Sequence, residues 1–417
     1  MKNSGIEWIG EIPDDWGVSK IGQLYEERRK KVSDTIYPPL SVTMQGILPQ
    51  LETAAKSDAH DDRKLVLKGD FVINSRSDRR GSCGISDFNG SVSLINTVLH
   101  PKTEMNPIYY NWLFHSFRFS DEYYKNGHGI VDDLWTTSWT EMKKIFIPLP
   151  PKSTQQCIAT YLDKKCSKIE ETIQNQQQVI EKLKAYKQSL ITEAVTGKVK
   201  IVNGKACGEY ESYKDSGVEW IGEIPSGWEV GKFGRFATVK SNLVDPNLYM
   251  DYPQIAPDNI EKGSGKLIDF KSVRDSGVIS WNHLFYKGQI VYSKIRPTLN
   301  KLIIAPFDGL CSADMYPIET KLEKPFFVYM MLSQYFVEQV GLITRDRVKM
   351  PKINQNELSS ILISVPSKEK QKEIADYLDK KCTAIDTVIE QKQNLIDKLT
   401  EYKKSLIYEV VTGKKEI

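Results

Sequence analysis

Two stretches of the chain carry apolar residues in steps of four and three, in the same register. In residues 148–198 the series is Ile169, Ile173, Ile180, Leu183, Leu190 and Ala194. In residues 365–414 it is Ile385, Ile389, Ile396, Leu399, Leu406 and Val410. A seven-residue apolar repeat makes a narrow seam that supercoils against another helix. The spacing therefore predicts two long helices, each on the order of 60 Å. Polar residues interrupt the seams at matching places, Gln176 and Lys187 in one, Lys392 and Lys403 in the other. Such interruptions cost stability and fix register. Helix starts are signalled by Ser153 after Pro150-Pro151, with Gln156 three residues on, and by Ser367 after Pro366. The stops are Gly197 and Gly413. Two seams of equal length in one chain are natural mutual partners. They are expected to pack antiparallel, as a rod with globular parts at its opposite ends.

A second repeat opens each half. Glu7-Trp8-Ile9-Gly10-Glu11-Ile12-Pro13 is followed by Trp16, and Glu219-Trp220-Ile221-Gly222-Glu223-Ile224-Pro225 by Trp228. Tryptophans and aliphatics at fixed spacing read as a small packed corner, rather than as ligand sites at Trp8 or Trp220. From about residue 20 to 146, short β-rich runs such as Leu65-Val66-Leu67 and Phe71-Val72-Ile73 alternate with Gly, Asn, Asp and Pro. An aromatic stretch, residues 109–119, reads as a short core helix. The second half has the same outline: Lys287-Gly288-Gln289-Ile290 parallels Lys68-Gly69-Asp70-Phe71, and residues 326–340 parallel the aromatic helix. The fold class expected is α+β: two globular mixed α/β domains in pseudo-twofold arrangement, separated by two long antiparallel coiled-coil helices. The boundaries are 1–150 and 216–365 for the domains, 151–198 and 366–417 for the helices, and 199–215 for a polar linker.

Composition narrows the function. The 417 residues suffice for two or three domains, and 40% hydrophobic with 27% charged residues is ordinary for globular protein. A net charge of +3 means that nucleic-acid binding must come from local patches. Six cysteines without a C-x-x-C pair and five scattered histidines do not support a metal or redox motif. No apolar run reaches membrane-spanning length, so a cytoplasmic protein with reduced thiols is expected. There is no P-loop and no G-x-S-x-G elbow. Pro257-Asp258 followed by Asp269-Phe270-Lys271 fits the loose spacing of metal nucleases, but it has no counterpart in the first half and reads as coincidence.

Basic clusters recur. After the strand at Phe71 come Asn74-Ser75-Arg76-Ser77-Asp78-Arg79-Arg80, and at the parallel place Ser293-Lys294-Ile295-Arg296, with Asn300 and Lys301 close behind. Arg345, Arg347 and Lys349 form a third cluster, and Gln45, Gln254 and Asn259 lie in polar loops. Arg and Asn can bond base edges, while Lys and Ser suit phosphate. One such cluster is ordinarily a solvated loop. Recurrence in two otherwise divergent units points to DNA. The run Arg28-Arg29-Lys30-Lys31 reads instead as an exposed helix face.

The doubled openings, the strand-plus-basic-loop segments, Lys352-Ile353-Asn354 leading to Ile361-Leu362-Ile363-Ser364-Val365-Pro366, and the paired helix tails together resemble the DNA-specificity subunit of Type I restriction-modification systems. The resemblance covers essentially the whole chain. The first half departs from it where Trp135-Thr136-Thr137 stands in place of Pro351-Lys352-Ile353. The resemblance implies a non-catalytic subunit whose two target-recognition domains each read one half of a split sequence in double-stranded DNA. The helices would set the spacing and dock two methyltransferase subunits, with restriction and translocase subunits completing the complex. S-adenosylmethionine, ATP and Mg2+ would belong to those partners, with no cofactor in this chain. Because the two domains differ, the target should be asymmetric, its half-sites roughly 34–36 Å apart if both domains enter successive major-groove faces. The competing readings are a coiled-coil adaptor that binds only proteins and, more distantly, the metal nuclease.

Overall fold

A computed structural model of the protein describes residues 1–50, 60–129, 135–219, 221–347 and 349–417. It divides into two units, Met1–Gln177 with Gln393–Ile417, and Gln178–Lys392. The two long helices are continuous, Lys152–Thr196 and Lys368–Val411. Each unit therefore holds the first part of one helix and the last part of the other.

Within each unit these segments run in opposite directions. In the first, Ile158, Leu162 and Cys166 share a core with Val411, Val410, Ile407 and Leu406, and Glu170 pairs with Lys403. In the second, Leu190, Ala194 and Val195 share a core with Ile385, Leu378 and Ile374, and Lys187 pairs with Asp386 at 2.7 Å. Each ion pair lies within its own unit. Two of the lysines that interrupt the seams, Lys187 and Lys403, are thus each answered by an acid of the opposing helix. Along the helices, Ile180, Leu190, Ile385, Ile396 and Leu406 are buried, and Ile169, Ile173, Leu183, Ile389 and Leu399 partly buried. Burying such side chains stabilises by roughly 1.5–3 kcal/mol each.

The ends of the helices are fixed by neighbours from far along the chain. Gly413 (φ +72°) and Gly197 (φ +76°) take the left-handed conformation expected of a stop. The next residues close the turn, with Lys414 N donating to Glu409 O at 2.8 Å and Lys198 N to Glu193 O at 2.9 Å. Pro13 and Trp16 pack over Gly413, and Pro225 and Trp228 over Gly197, each within its own unit. The two opening repeats are therefore lids on the far ends of the long helices. Trp8 is buried, its indole donating to Phe146 O at 3.2 Å. Trp220 lies outside the described residues. At the helix starts, Ser367 precedes its helix and accepts from Lys370 N. Ser153 instead lies inside the first turn. The anchoring residue there is Gln155, one before the expected Gln156: it is buried, donating to Pro150 O and accepting from Asn106 N. Gln371 does the same with Pro366 O and Glu323 N.

Each globular part is built from the same sheet. In the first the strand order is Cys83–Ile85, Phe71–Asn74, Asn96–Pro101, Tyr25–Glu27. In the second it is Leu302–Ile304, Ile290–Ser293, Met315–Thr320, Ala237–Val239. The turn before the central strand also repeats. Gly69 and Gly288 have positive φ, Leu67 N donates to Asp70, and Tyr286 N donates to Gln289. The aromatic stretches are each two helices rather than one: Pro107–His115 and Phe117–Lys125, and Lys324–Leu332 and Gln334–Thr344. Ser116 and Ser333 break them. Each is extended and returns its hydroxyl to a carbonyl of the preceding turn, Leu113 O and Met330 O. One further expectation is corrected. Residues 28–31 are not a helix face: Arg28 leaves the strand Tyr25–Glu27 and grips Asp70 bidentately at 2.7 and 3.0 Å. Within the stretch 199–215, Ile201 is fully buried, and Lys370 Nζ donates to its carbonyl at 2.8 Å. No single helix among the described residues is long and apolar enough to cross a membrane.

Candidate nucleic-acid interface

Both central strands run outward from the core and release the chain into a basic loop at the same end of the sheet. In the first unit Phe71–Asn74 leads to Ser75, Arg76 and a short 3-10 turn, Ser77–Arg79. In the second, Ile290–Ser293 leads to Lys294, Ile295, Arg296 and the turn Pro297–Leu299. The base of each loop is pinned by a late segment. Arg76 bridges Thr136, and Ile295 bridges Lys352. Thr137 N donates to Ser75 O, and Ile353 N to Lys294 O, both at 3.0 Å. Residues 135–137 and 351–353 thus occupy equivalent places despite their different sequences.

The candidate side chains separate into two groups. Arg76 and Arg296 stand just before their turns, exposed, with no ion pair among the described residues. Arg79 and Arg80 are also exposed. Their acid neighbours, Asp78 and Asp121, are 3.5 Å away, and the Arg80 guanidinium lies 5.2 Å from the Tyr124 ring. A cleft of about 620 Å³ opens beside Arg80, lined also by Tyr124, Lys125 and Trp135. Gln45 is exposed at the tip of the hairpin Leu40–Thr43/Gly46–Pro49. That hairpin lies against the strand leaving the basic loop: a Cβ on Gly84 would come 2.9 Å from Gly46 Cα. In the second unit Lys294 is half-buried, 5.2 Å from the Tyr316 ring. Lys301 is half-buried too, donating to Pro257 O at 2.8 Å with Asp258 at 3.6 Å. Arg345 and Lys349 are exposed, Arg345 with Asp346 at 3.8 Å.

The remaining candidates hold the loops together. Ser75 is buried and its hydroxyl donates to Ile95 O. Asn300 is buried in the left-handed conformation (φ +48°), closing the turn and donating to Met331 O at 2.8 Å. Asn tolerates that conformation because its short side chain bonds locally. Gln254 is buried against Asn282, and Asn259 is spent on Ala256 N and Asp269. Arg347, though exposed, is tied to Glu357 and the Lys352 carbonyl. These five are positioning residues, because a buried or fully bonded polar group cannot turn to a base edge without breaking its bonds. As for the nuclease pattern, Asp258 faces Lys301 and Asp269 faces Asn259. No group of three or more metal-ligating side chains occurs among the described residues.

What sequence reading missed is an apolar loop at the same end of the second unit. Ile279 is 88% exposed and Trp281 60% exposed, immediately before the strand Asn282–Phe285. His283, on that strand, has its pKa lowered by burial and then by Lys294, which sets it close to the basic loop.

Comparison with known proteins agrees with this geometry. The model of the Type I restriction modification DNA specificity domain matches twice, over residues 13–184 and 225–398. The chain is 30% identical over 403 residues to the EcoDI specificity subunit of Escherichia coli, covering 92% of this chain and 84% of that protein. It is 26% identical over 413 residues to the MjaVIII specificity subunit of Methanocaldococcus jannaschii, covering 91% and 88%. A solved chain described under complex assembly and conformational transition of the type I R-M system shares the fold, with a TM-score of 0.72 at 13% identity over 97% of this chain and all of that one. The HsdS subunit from Thermoanaerobacter tengcongensis follows, with a TM-score of 0.51 at 14% identity over 97% and 98%. Two copies of a DNA-specificity domain, spanning most of the chain, mean that it belongs to the specificity subunits of Type I restriction-modification systems.

Proposed function

We propose that each globular part, residues 1–150 and 216–365, reads one half of an asymmetric, interrupted target in duplex DNA. A DNA sequence-specificity role comes with the family. The observation that carries the finer reading is the basic loop released from the same strand end of the same sheet in both units, with different side chains in each. Equivalent geometry suits a quasi-symmetric approach to the duplex, and different residues suit different half-sites. Arg76 and Arg296 are the leading base-reading candidates because they are exposed, with no ion pair among the described residues. Arg79, Arg80, Arg345 and Lys349 suit phosphate.

In this reading the long helices, 151–198 and 366–417, set the half-site spacing and offer their outer faces to two methyltransferase subunits. The stretch 199–215 connects the two halves. The chain itself is non-catalytic and holds no cofactor. S-adenosylmethionine, ATP and Mg2+ act in the methyltransferase and restriction subunits. The test is selectivity. In the complex with its methyltransferase, Arg76→Ala alters preference at one half-site only, and Arg296→Ala at the other, by roughly 1–3 kcal/mol of discrimination. Equal loss at both half-sites, or no loss at either, overturns this assignment of the reading loops.

A further inference from the structure

The loop at residues 277–281 has no role in the account so far, and its composition is unusual for a surface. Ile279 and Trp281 are 88% and 60% exposed, side by side in sequence with one serine between them. Apolar surface left exposed next to a charged loop is a candidate interaction site.

The loop is held in place. Asn282, directly after Trp281, is buried; its amide donates to Ser280 O at 2.9 Å, and its oxygen accepts from the buried Gln254. Gly277 (φ +64°) turns the chain into the loop after the short helix Val273–Ser276. Trp281 itself stands before the strand, whose four residues are all buried, and stays exposed.

Strand register fixes what surrounds it. His283 pairs with Cys311, which in turn lies beside Ile255, so residues 281, 312 and 256 emerge at one end of that sheet. Lys294 N donates to Asp314 O, and Lys301 Nζ to Pro257 O, so the basic loop emerges at the same end. Lys352 reaches it through Asp314 at 2.9 Å. Trp281 therefore belongs to the same reading end as Arg296. At the equivalent place in the first unit, before the strand Arg63–Val66, stand the exposed acids Asp61 and Asp62.

We infer that Trp281, with Ile279 beside it, is an apolar contact of the second unit with duplex DNA, laid against bases or sugars of the half-site that Arg296 approaches. Arg296, exposed and with no ion pair among the described residues, favours a polyanionic duplex over an apolar protein surface at this end, and an indole supplies apolar area for the sugars and base edges of the half-site to which that arginine docks the unit. The contact is confined to the second half-site, because the first unit offers carboxylates there.

This inference rests on the proposed function, and one experiment separates the two. The full chain is assembled with its methyltransferase, and binding is measured to three duplexes: the intact target, and targets with the first or the second half-site scrambled. Trp281→Ala is expected to weaken binding to the intact target roughly 5- to 100-fold, as expected for losing the burial of a large aromatic side chain. Trp281→Phe should keep most of the affinity. Neither change should alter binding to the duplex with the second half-site scrambled, or the assembly of the complex. Wild-type affinity in Trp281→Ala overturns the inference alone, as does a complex that falls apart, which would mark a protein-docking residue. Equal loss on every duplex overturns the half-site placement. A wild-type complex that does not distinguish intact from scrambled targets overturns both readings.

Discussion

Replacing Gly413 by alanine tests whether the opening repeat is a lid on the far helix end. Gly413 has φ +72°, where alanine costs about 1–2 kcal/mol. A Cβ there would lie 2.7 Å from Pro13 Cγ, nearer still to Cδ, and 3.2 Å from Trp16. The Pro13 ring is stiff, so the corner must shift, and overpacking of this kind costs about 1–3 kcal/mol more. The total expected is ~2–5 kcal/mol. Gly5 is the control: its φ is +73°, but a Cβ would meet nothing within 4 Å, so alanine there carries the conformational cost alone. Urea unfolding of both variants, with amide exchange across residues 4–16, reads the difference. If Gly413→Ala is no more destabilising than Gly5→Ala, and residues 4–16 keep their protection, the lid does not contribute as argued. The second unit repeats the test with Gly197, against Pro225, and the open Gly204 as control.

Asp386→Ala should cost about 3 kcal/mol, because the Lys187 side chain it leaves behind is only 15% exposed. The matching Glu170→Ala should cost under about 1 kcal/mol, since Glu170 is more than half exposed; similar urea midpoints for the two would contradict this. Burial pushes the Asp386 pKa up, but hydrogen bonds from Lys187 and Lys266 outweigh it and hold the carboxyl below its ordinary value. Its contribution is therefore complete above about pH 4 and is lost as pH falls further, so the gap between wild type and Asp386→Ala should close at low pH. Ser75→Ala and Asn300→Ala should each lower stability by about 1–3 kcal/mol and leave half-site preference unchanged. A changed preference at full stability would return them to the reading surface.

The long helices were legible because their signal is local and periodic: the seam from Ile169 to Leu190 and its copy needed only spacing. The matching lysines were legible as interruptions, but their partners, Asp386 and Glu170, were not, since antiparallel register brings together residues far apart in sequence. The packed corner of Trp8 and Trp16 was read correctly, while the helix end it covers was not. In the candidate loops, the polar run is visible in the sequence, but which of its side chains are exposed is not. Ser75 and Arg76 are neighbours in one polar run, yet one is buried against Ile95 and the other is exposed. Trp281 was missed for the opposite reason: an indole beside a β-rich stretch reads as core, yet it stands exposed before a strand whose residues are all buried.

The measurement that bears most directly on the central claim is methylation-site mapping of DNA from cells expressing this chain with its neighbouring methyltransferase subunit. The account predicts a split, asymmetric motif that disappears when this chain is omitted, with Arg76→Ala and Arg296→Ala relaxing different halves of it. An active methyltransferase that leaves no such motif would contradict the account and favour an adaptor that binds only proteins.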